Sequence, residues 1–208
     1  MLRLRLSRFV AFALSQLPPP PARVLEIGCG GGEVALALAD AGYDVTAIDP
    51  EAPEGAIFRR VTLEEFDEDG GFDAVVASVS LHHVHDLGAA VDKIAALLAP
   101  RGVLVLEEFA KERLRGPTGE WYYAERRRLD ETLPDDFESW LAGWEERHRI
   151  HTWTELRRAL DERFEERYCA RVPYLYDFRL DDELEPVERA LIESGAIDAT
   201  GVRYVGRA

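Results

Sequence analysis

The chain has 208 residues, of which 47% are hydrophobic and 31% charged, a balance that suits one core-bearing domain and excludes a disordered chain. It carries 40 acidic residues against 25 basic ones, a formal net charge of −15, which repels phosphate backbones and anionic lipid and leaves nucleic acid and membranes as unexpected partners. No run of about 18 uncharged apolar residues occurs, so no membrane-spanning helix is expected.

Residues 1–17 begin with arginines and an apolar run, but the stretch 9–14 is too short for a secretory core and no small-x-small cleavage site follows it. A helix leading into the domain is expected instead. Leu6, Phe9, Val10, Ala13, Leu14 and Leu17 recur at helical spacing, giving a face to pack on a sheet or cover a cleft. The prolines 18–21 end it. Residues 24–50 then read as a buried strand (24–27), a glycine loop (28–32), an amphipathic helix (33–41) and a second strand (43–48) closed by Asp49. Gly28, Gly30 and Gly32 allow a sharp strand-to-helix turn and close approach of a ligand. The helix start offers free N–H groups to an acidic ligand group. Asp49, about 20 residues past the loop, stands where a carboxylate accepts both hydroxyls of a ribose. Both features fit an adenosine-containing ligand. A dinucleotide fingerprint needs glycine at position 33, where this chain has Glu33. With only Cys29 and Cys169 in the chain, a reducing, cytoplasmic setting is expected. Cys29 has no companion at ligand spacing, and no metal site is expected there.

Glu26-x-Gly28-x-Gly30-x-Gly32 resembles motif I of the class I S-adenosylmethionine-dependent methyltransferases. The resemblance implies that Glu26, Gly28, Cys29 and Gly30 line the methionine end of S-adenosylmethionine and that Asp49 holds its ribose. After Asp49 the chain departs from the family layout: Pro50, Pro53 and Gly55 replace a full crossover helix, and a third strand is expected at 56–61. Thr62 stands where relatives commonly carry an aspartate for adenine, so Thr62, Leu63 and Glu64 are neighbourhood candidates. The fourth strand, 72–78, ends on Ser78, a further cofactor candidate. The following Leu81-His82-His83-Val84-His85-Asp86-Leu87 is similar to the LHHV-x-D stretch of small-molecule methyltransferases. Within it, His82 is a candidate general base, since imidazole titrates near neutrality; a loop that only closes the pocket is the alternative. His82 and His85, a helical turn apart, also admit a metal pair in principle. Ser78-Val79-Ser80-Leu81 replaces the Asn/Asp-Pro-Pro-aromatic motif of amide and nucleobase N-methyltransferases, arguing against that class.

A helix at 87–98, a turn at Pro100 and Gly102, and a fifth strand at 103–107 complete the family-like core. Residues 110–151 are expected to form a helical insertion or cap of two or three short helices, rich in aromatics, that either packs on the sheet or lines an acceptor pocket. His148, with His151, is a second candidate for acting on a substrate proton. A helix at 152–164 capped by Thr152 or Thr154, a long strand at 165–178, a helix at 182–194 and a last, antiparallel edge strand at 201–207 follow. The whole is expected to be a single α/β domain, a three-layer Rossmann-like doubly wound sheet, mainly parallel. The function expected is methyl transfer from S-adenosylmethionine to a small-molecule acceptor. A cofactor-binding but non-catalytic regulatory or scaffold protein, or a nicotinamide-dependent oxidoreductase, are the alternatives.

Overall fold

A computed structural model describes residues 4–208. Its elements are α1 (Leu4–Gln16), β1 (Arg23–Ile27), α2 (Glu33–Asp40), β2 (Asp44–Ile48), β3 (Phe58–Arg59), β4 (Phe72–Ser78), α3 (Leu87–Leu97), β5 (Leu98–Phe109), α4 (Gly116–Leu129), α5 (Phe137–Arg147), α6 (Trp153–Asp161), β6 (Glu165–Val172), α7 (Glu185–Glu193) and β7 (Gly201–Arg207). The seven strands form one sheet in the order β3-β2-β1-β4-β5-β7-β6. β3, β2, β1, β4 and β5 run parallel, and β7 is antiparallel to both β5 and β6.

Both faces of the central strands are covered, which is why β1, β4 and β5 read as nearly unbroken apolar runs. Alternate residues divide between two cores. Leu25, Ile27, Val75, Ala77, Leu104 and Leu106 face the layer of α3 and α6. Val24, Val45, Ala47, Ala74, Val76 and Val105 face α1 and α2. The N-terminal helix, expected from residue 1, lies in its described part against this second core through Phe9, Val10 and Ala13. The chain order reverses between β1 and β4, both of which start a crossover, and a doubly wound sheet opens its crevice at that switch point.

Three expectations are corrected. The third strand is two residues long rather than six, because Pro53 and Gly55 keep the preceding segment in turns. The sixth strand stops at Val172, before Pro173, and the carboxylate of Glu188 then accepts the backbone N–H groups of Tyr174, Leu175 and Tyr176 at 2.9, 3.1 and 2.8 Å. A ladder strand cannot continue through donors already taken. The last strand is interior, not at the edge: β7 is mostly buried, and the charged, exposed β6 forms the edge instead.

α4 and α5 form a cap beyond the end of β5, with an aromatic core of its own that includes Phe109, Tyr122, Trp140, Trp144 and Tyr174. Asp136 caps α5 by accepting from Ser139 N at 2.7 Å. Thr152 and Glu155 close a reciprocal capping box at the start of α6, which decides between the two threonines.

Candidate functional site

A cleft of about 630 Å³ opens at the carboxyl ends of β1, β2 and β4. The glycine loop forms one wall. Gly28, at φ +72°, donates its N–H to Ile48 O at 2.8 Å, and Cys29 donates to the same oxygen at 3.1 Å, so the loop is tied to the end of β2. A Cβ at Gly28 would stand 2.3 Å from Ser80 Cβ, a separation no side chain tolerates, which is the physical reason for glycine there. Ser80 in turn donates its hydroxyl to Ile27 O at 2.9 Å, binding the end of β1 to the loop after β4. Between them Val79 adopts φ +57°, left-handed and unusual for a β-branched residue, and lines the cleft.

Asp49 lies on the cleft with its carboxylate accepting from Gly30 N at 3.0 Å and Glu51 N at 2.8 Å. Thr62 and Leu63 line the opposite wall with Glu64 and Glu65, and Thr62 and Glu65 bond reciprocally through side chain and backbone. Among the described residues the cleft therefore presents Asp49, Glu64 and Glu65 and no Lys or Arg. Glu26 lies under the loop, 2% exposed, with one carboxyl oxygen lacking any hydrogen-bond partner among the described residues. Burial, with help from the charges of Glu33 and Asp49, pushes its pKa up to about 8 against the pull of the Ala35 N–H. Burial and the same acidic surroundings push the Cys29 thiol up to about 12, so it is an inert, packed group.

The histidines fall differently from expectation. His82, the candidate base, is buried with Nδ1 2.5 Å from Glu108 Oε2, and is absent from the cleft wall. Its ring is held because Glu108 Oε1 also accepts the N–H groups of Ser80 and Leu81, at 3.2 and 2.8 Å. His83 lines the cleft instead, its ring tilted 45° against that of His82 at 4.2 Å between centroids. Burial lowers the His83 pKa, and the neighbouring His82 and His148 add to the effect. His148 belongs to the cap, its Nδ1 2.8 Å from Trp144 O and its ring stacked on Trp144. His151 donates its N–H to His82 O at 2.9 Å, and its Nε2 lies 2.9 Å from Val84 O, pinning the histidine loop to the start of α6. Ser78 lies off the cleft wall too, its hydroxyl accepting from Arg5 Nη1 at 3.1 Å. Among the described residues no three His, Cys, Asp or Glu side chains converge as a metal site.

Sequence reasoning passed over Glu108, Ser80 and Val79. The available signal was the consecutive pair Glu107-Glu108 at the end of an otherwise apolar strand, where side chains alternate between faces. Glu108 meets the histidine loop, while Glu107 meets Arg5 and Arg203 on the other face.

A family model described as a methyltransferase domain matches residues 2–168. The chain belongs to the class I S-adenosylmethionine-dependent methyltransferases. Among curated proteins, it is similar to the ubiquinone biosynthesis O-methyltransferase of Rhodopseudomonas palustris, with 35% identity over 97 residues. That alignment takes in 40% of this chain and 38% of the relative, so the chain matches well under half of that protein's length. In fold, the chain is similar to an S-adenosylmethionine-dependent methyltransferase from Mesorhizobium loti, at TM-score 0.60 and 16% identity over 95% of this chain and 96% of the other. It is likewise similar to the N-methyltransferase NodS from Bradyrhizobium japonicum in complex with S-adenosyl-L-homocysteine, at TM-score 0.58 and 17% identity over 98% and 85% of the two chains.

The residues of this methyltransferase-family chain fit the family's cofactor on their own terms. The unpartnered oxygen of Glu26 is a buried acceptor awaiting a donor, and a position on Gly30 where a Cβ would meet nothing within 4 Å leaves the loop open to a ligand. The acidic lining suits a molecule that carries a sulfonium and an ammonium group.

Proposed function

We propose that this chain transfers a methyl group from S-adenosylmethionine to a small-molecule acceptor held between the cleft and the helical cap. The observation that carries this reading is the pair of carboxyl groups flanking the glycine loop: Glu26 beneath it with a free oxygen, and Asp49 beside it, aimed by two backbone N–H groups. In this reading Asp49 accepts the ribose hydroxyls, Glu26 takes the ammonium group, and Thr62 and Leu63 flank the adenine. When bound, the cofactor would supply an electrophilic methyl carbon, with S-adenosylhomocysteine as the leaving group once the methyl has passed to the acceptor's lone pair.

What the protein adds is position, water exclusion and a proton acceptor. His83, with its pKa lowered from the ordinary 6.5, is neutral at pH 7 and has a ring nitrogen to take a proton from an acceptor hydroxyl or ammonium. The buried His82–Glu108 pair fixes the loop that carries it. A dinucleotide is disfavoured by Glu33, whose carboxylate folds to 2.8 Å from where a Cβ on Gly31 would stand and occupies the helix start that a pyrophosphate needs.

Calorimetric titration with S-adenosylmethionine, S-adenosylhomocysteine and NADH tests the reading. Both adenosyl ligands are expected to bind, and Asp49→Ala is expected to weaken them at least tenfold, about 1.4 kcal/mol. Binding of NADH alone, or an affinity unchanged in the variant, overturns it.

A further inference from the structure

A second cavity, of about 270 Å³, lies inside the cap. Tyr122, Trp140, Trp144 and Phe178 supply aromatic walls, and Arg126, Arg147, Arg179 and His148 supply the polar lining. No carboxylate lines it, although the chain as a whole carries a charge of −15. The cofactor cleft shows the reverse, with three carboxylates and, among the described residues, no arginine or lysine. One molecule thus presents two adjacent sites of opposite sign, the first matched to a cation and the second to an anion.

The details of the cap cavity point the same way. Arg147 and Arg179 have no carboxylate partner among the described residues, unlike Arg5, Arg8 and Arg203, which are each paired. Arg179 adopts φ +59°, left-handed for a residue with a side chain, and Arg126 holds it there by donating to its carbonyl at 2.8 Å. Trp144 is 5% exposed, and its indole N–H has no partner among the described residues. A buried donor without an acceptor is costly unless a ligand or water completes it. Side-chain contacts run from the cavity toward the cofactor cleft: Trp144 stacks on His148, and Trp144 also meets Phe109 edge-on at 6.0 Å, next to Glu108 in the chain. His148 is close enough to His83 for its charge to bear on that ring.

We propose that this cavity recognises the methyl acceptor and selects a planar aromatic molecule carrying a carboxylate. The aromatic walls take the ring, and Arg147 and Arg179 take the anionic group, the task for which a planar guanidinium is best suited. The volume is just below the ~300–1,000 Å³ of sites for drug-sized ligands, which limits the ligand to one or two rings. This inference rests on the methyltransferase reading for the word acceptor, and the experiment separates the two.

The test is calorimetry on the full chain with three probes: 2-naphthoate, its uncharged counterpart 2-naphthalenemethanol, and inorganic phosphate as an anion without a ring. Naphthoate is expected to bind at least tenfold more tightly than the alcohol or phosphate. The double variant Arg147→Gln, Arg179→Gln, at two exposed positions, is expected to reduce naphthoate to the level of the alcohol. S-adenosylhomocysteine, titrated into the same samples, is expected to bind the variant as it binds the parent, which also shows that the variant is folded. Equal affinity for naphthoate and the alcohol, or naphthoate binding untouched by the double variant, overturns the anion half of the proposal. Phosphate matching naphthoate overturns the aromatic half. Naphthoate selectivity without any binding of S-adenosylhomocysteine defeats the methyltransferase reading and leaves the aromatic-anion site standing.

Discussion

Glu26 combines full burial with one unpartnered oxygen, and its pKa is raised from the ordinary 4.5 to about 8. A carboxyl group that is harder to ionise in the folded chain than in the unfolded one leaves stability intact below about pH 4.5. The loss accumulates as pH rises toward 8 and is complete above it, on the order of 5 kcal/mol for this group. Glu26→Gln keeps the shape and removes the charge. The variant is therefore expected to lose less stability than the parent between pH 5 and pH 8 in urea unfolding, while binding S-adenosylmethionine more weakly. Parallel pH profiles for the two proteins would show that Glu26 is already ionised and paired. The same environment explains its place in the site, because an arriving ammonium group would supply the partner that the folded chain lacks.

α1 is fastened at the scale of the element by one residue. Arg5 Nη1 lies 2.6 Å from Glu107 Oε1, and its Nε lies 2.8 Å from Asp177, so the helix joins the end of β5 to the segment between β6 and α7. Arg8 adds an ion pair with Glu185 at the start of α7. Glu107 is 1% exposed, and Arg203 holds its second oxygen at 2.7 Å. Breaking an isolated buried pair costs about 3–5 kcal/mol, and with Arg203 still in place Arg5→Ala is expected to fall near the lower end of that range. Thermal or urea unfolding measures it. A loss under about 0.5 kcal/mol, the level of a surface pair, would mean that α1 docks through Phe9, Val10, Ala13 and the Arg8–Glu185 pair without help from Arg5.

The net charge of −15 acts on the molecule as a whole. Self-repulsion at that charge opposes the compact state, and salt screens it, since the Debye length falls from about 30 Å at 0.01 M to about 8 Å at 0.15 M. The melting temperature is therefore expected to rise with sodium chloride over that range. A fall would mean that exposed ion pairs such as Arg157–Asp161 and Arg163–Asp92 outweigh the long-range repulsion. The charge is also unevenly placed, acidic around the cofactor cleft and basic around the cap cavity.

Local sequence determined the strand-loop-helix-strand unit, the glycine loop, Asp49 and the capping box of α6, because each shows in a short-range pattern: an apolar run broken by closely spaced glycines, a side chain that reaches the backbone three positions on. It also carried the family, whose motif lies in one continuous stretch. The arrangement of histidines was decided elsewhere. His82 and His83 are equivalent in the sequence, and only Glu108, 25 and 26 residues further along the chain and brought alongside by the pairing of β4 with β5, turns one inward and leaves the other on the cleft. Likewise, nothing local places β7 between β5 and β6, and although Pro173 stops β6 locally, the carboxylate of Glu188 that takes the next three donors comes from a different element. The cap cavity gathers residues from α4, α5 and the segment after β6, and its basic lining exists only once those pieces meet. Charges and aromatics scattered along a chain acquire a meaning through distance in space, and that distance is set by packing of the whole chain.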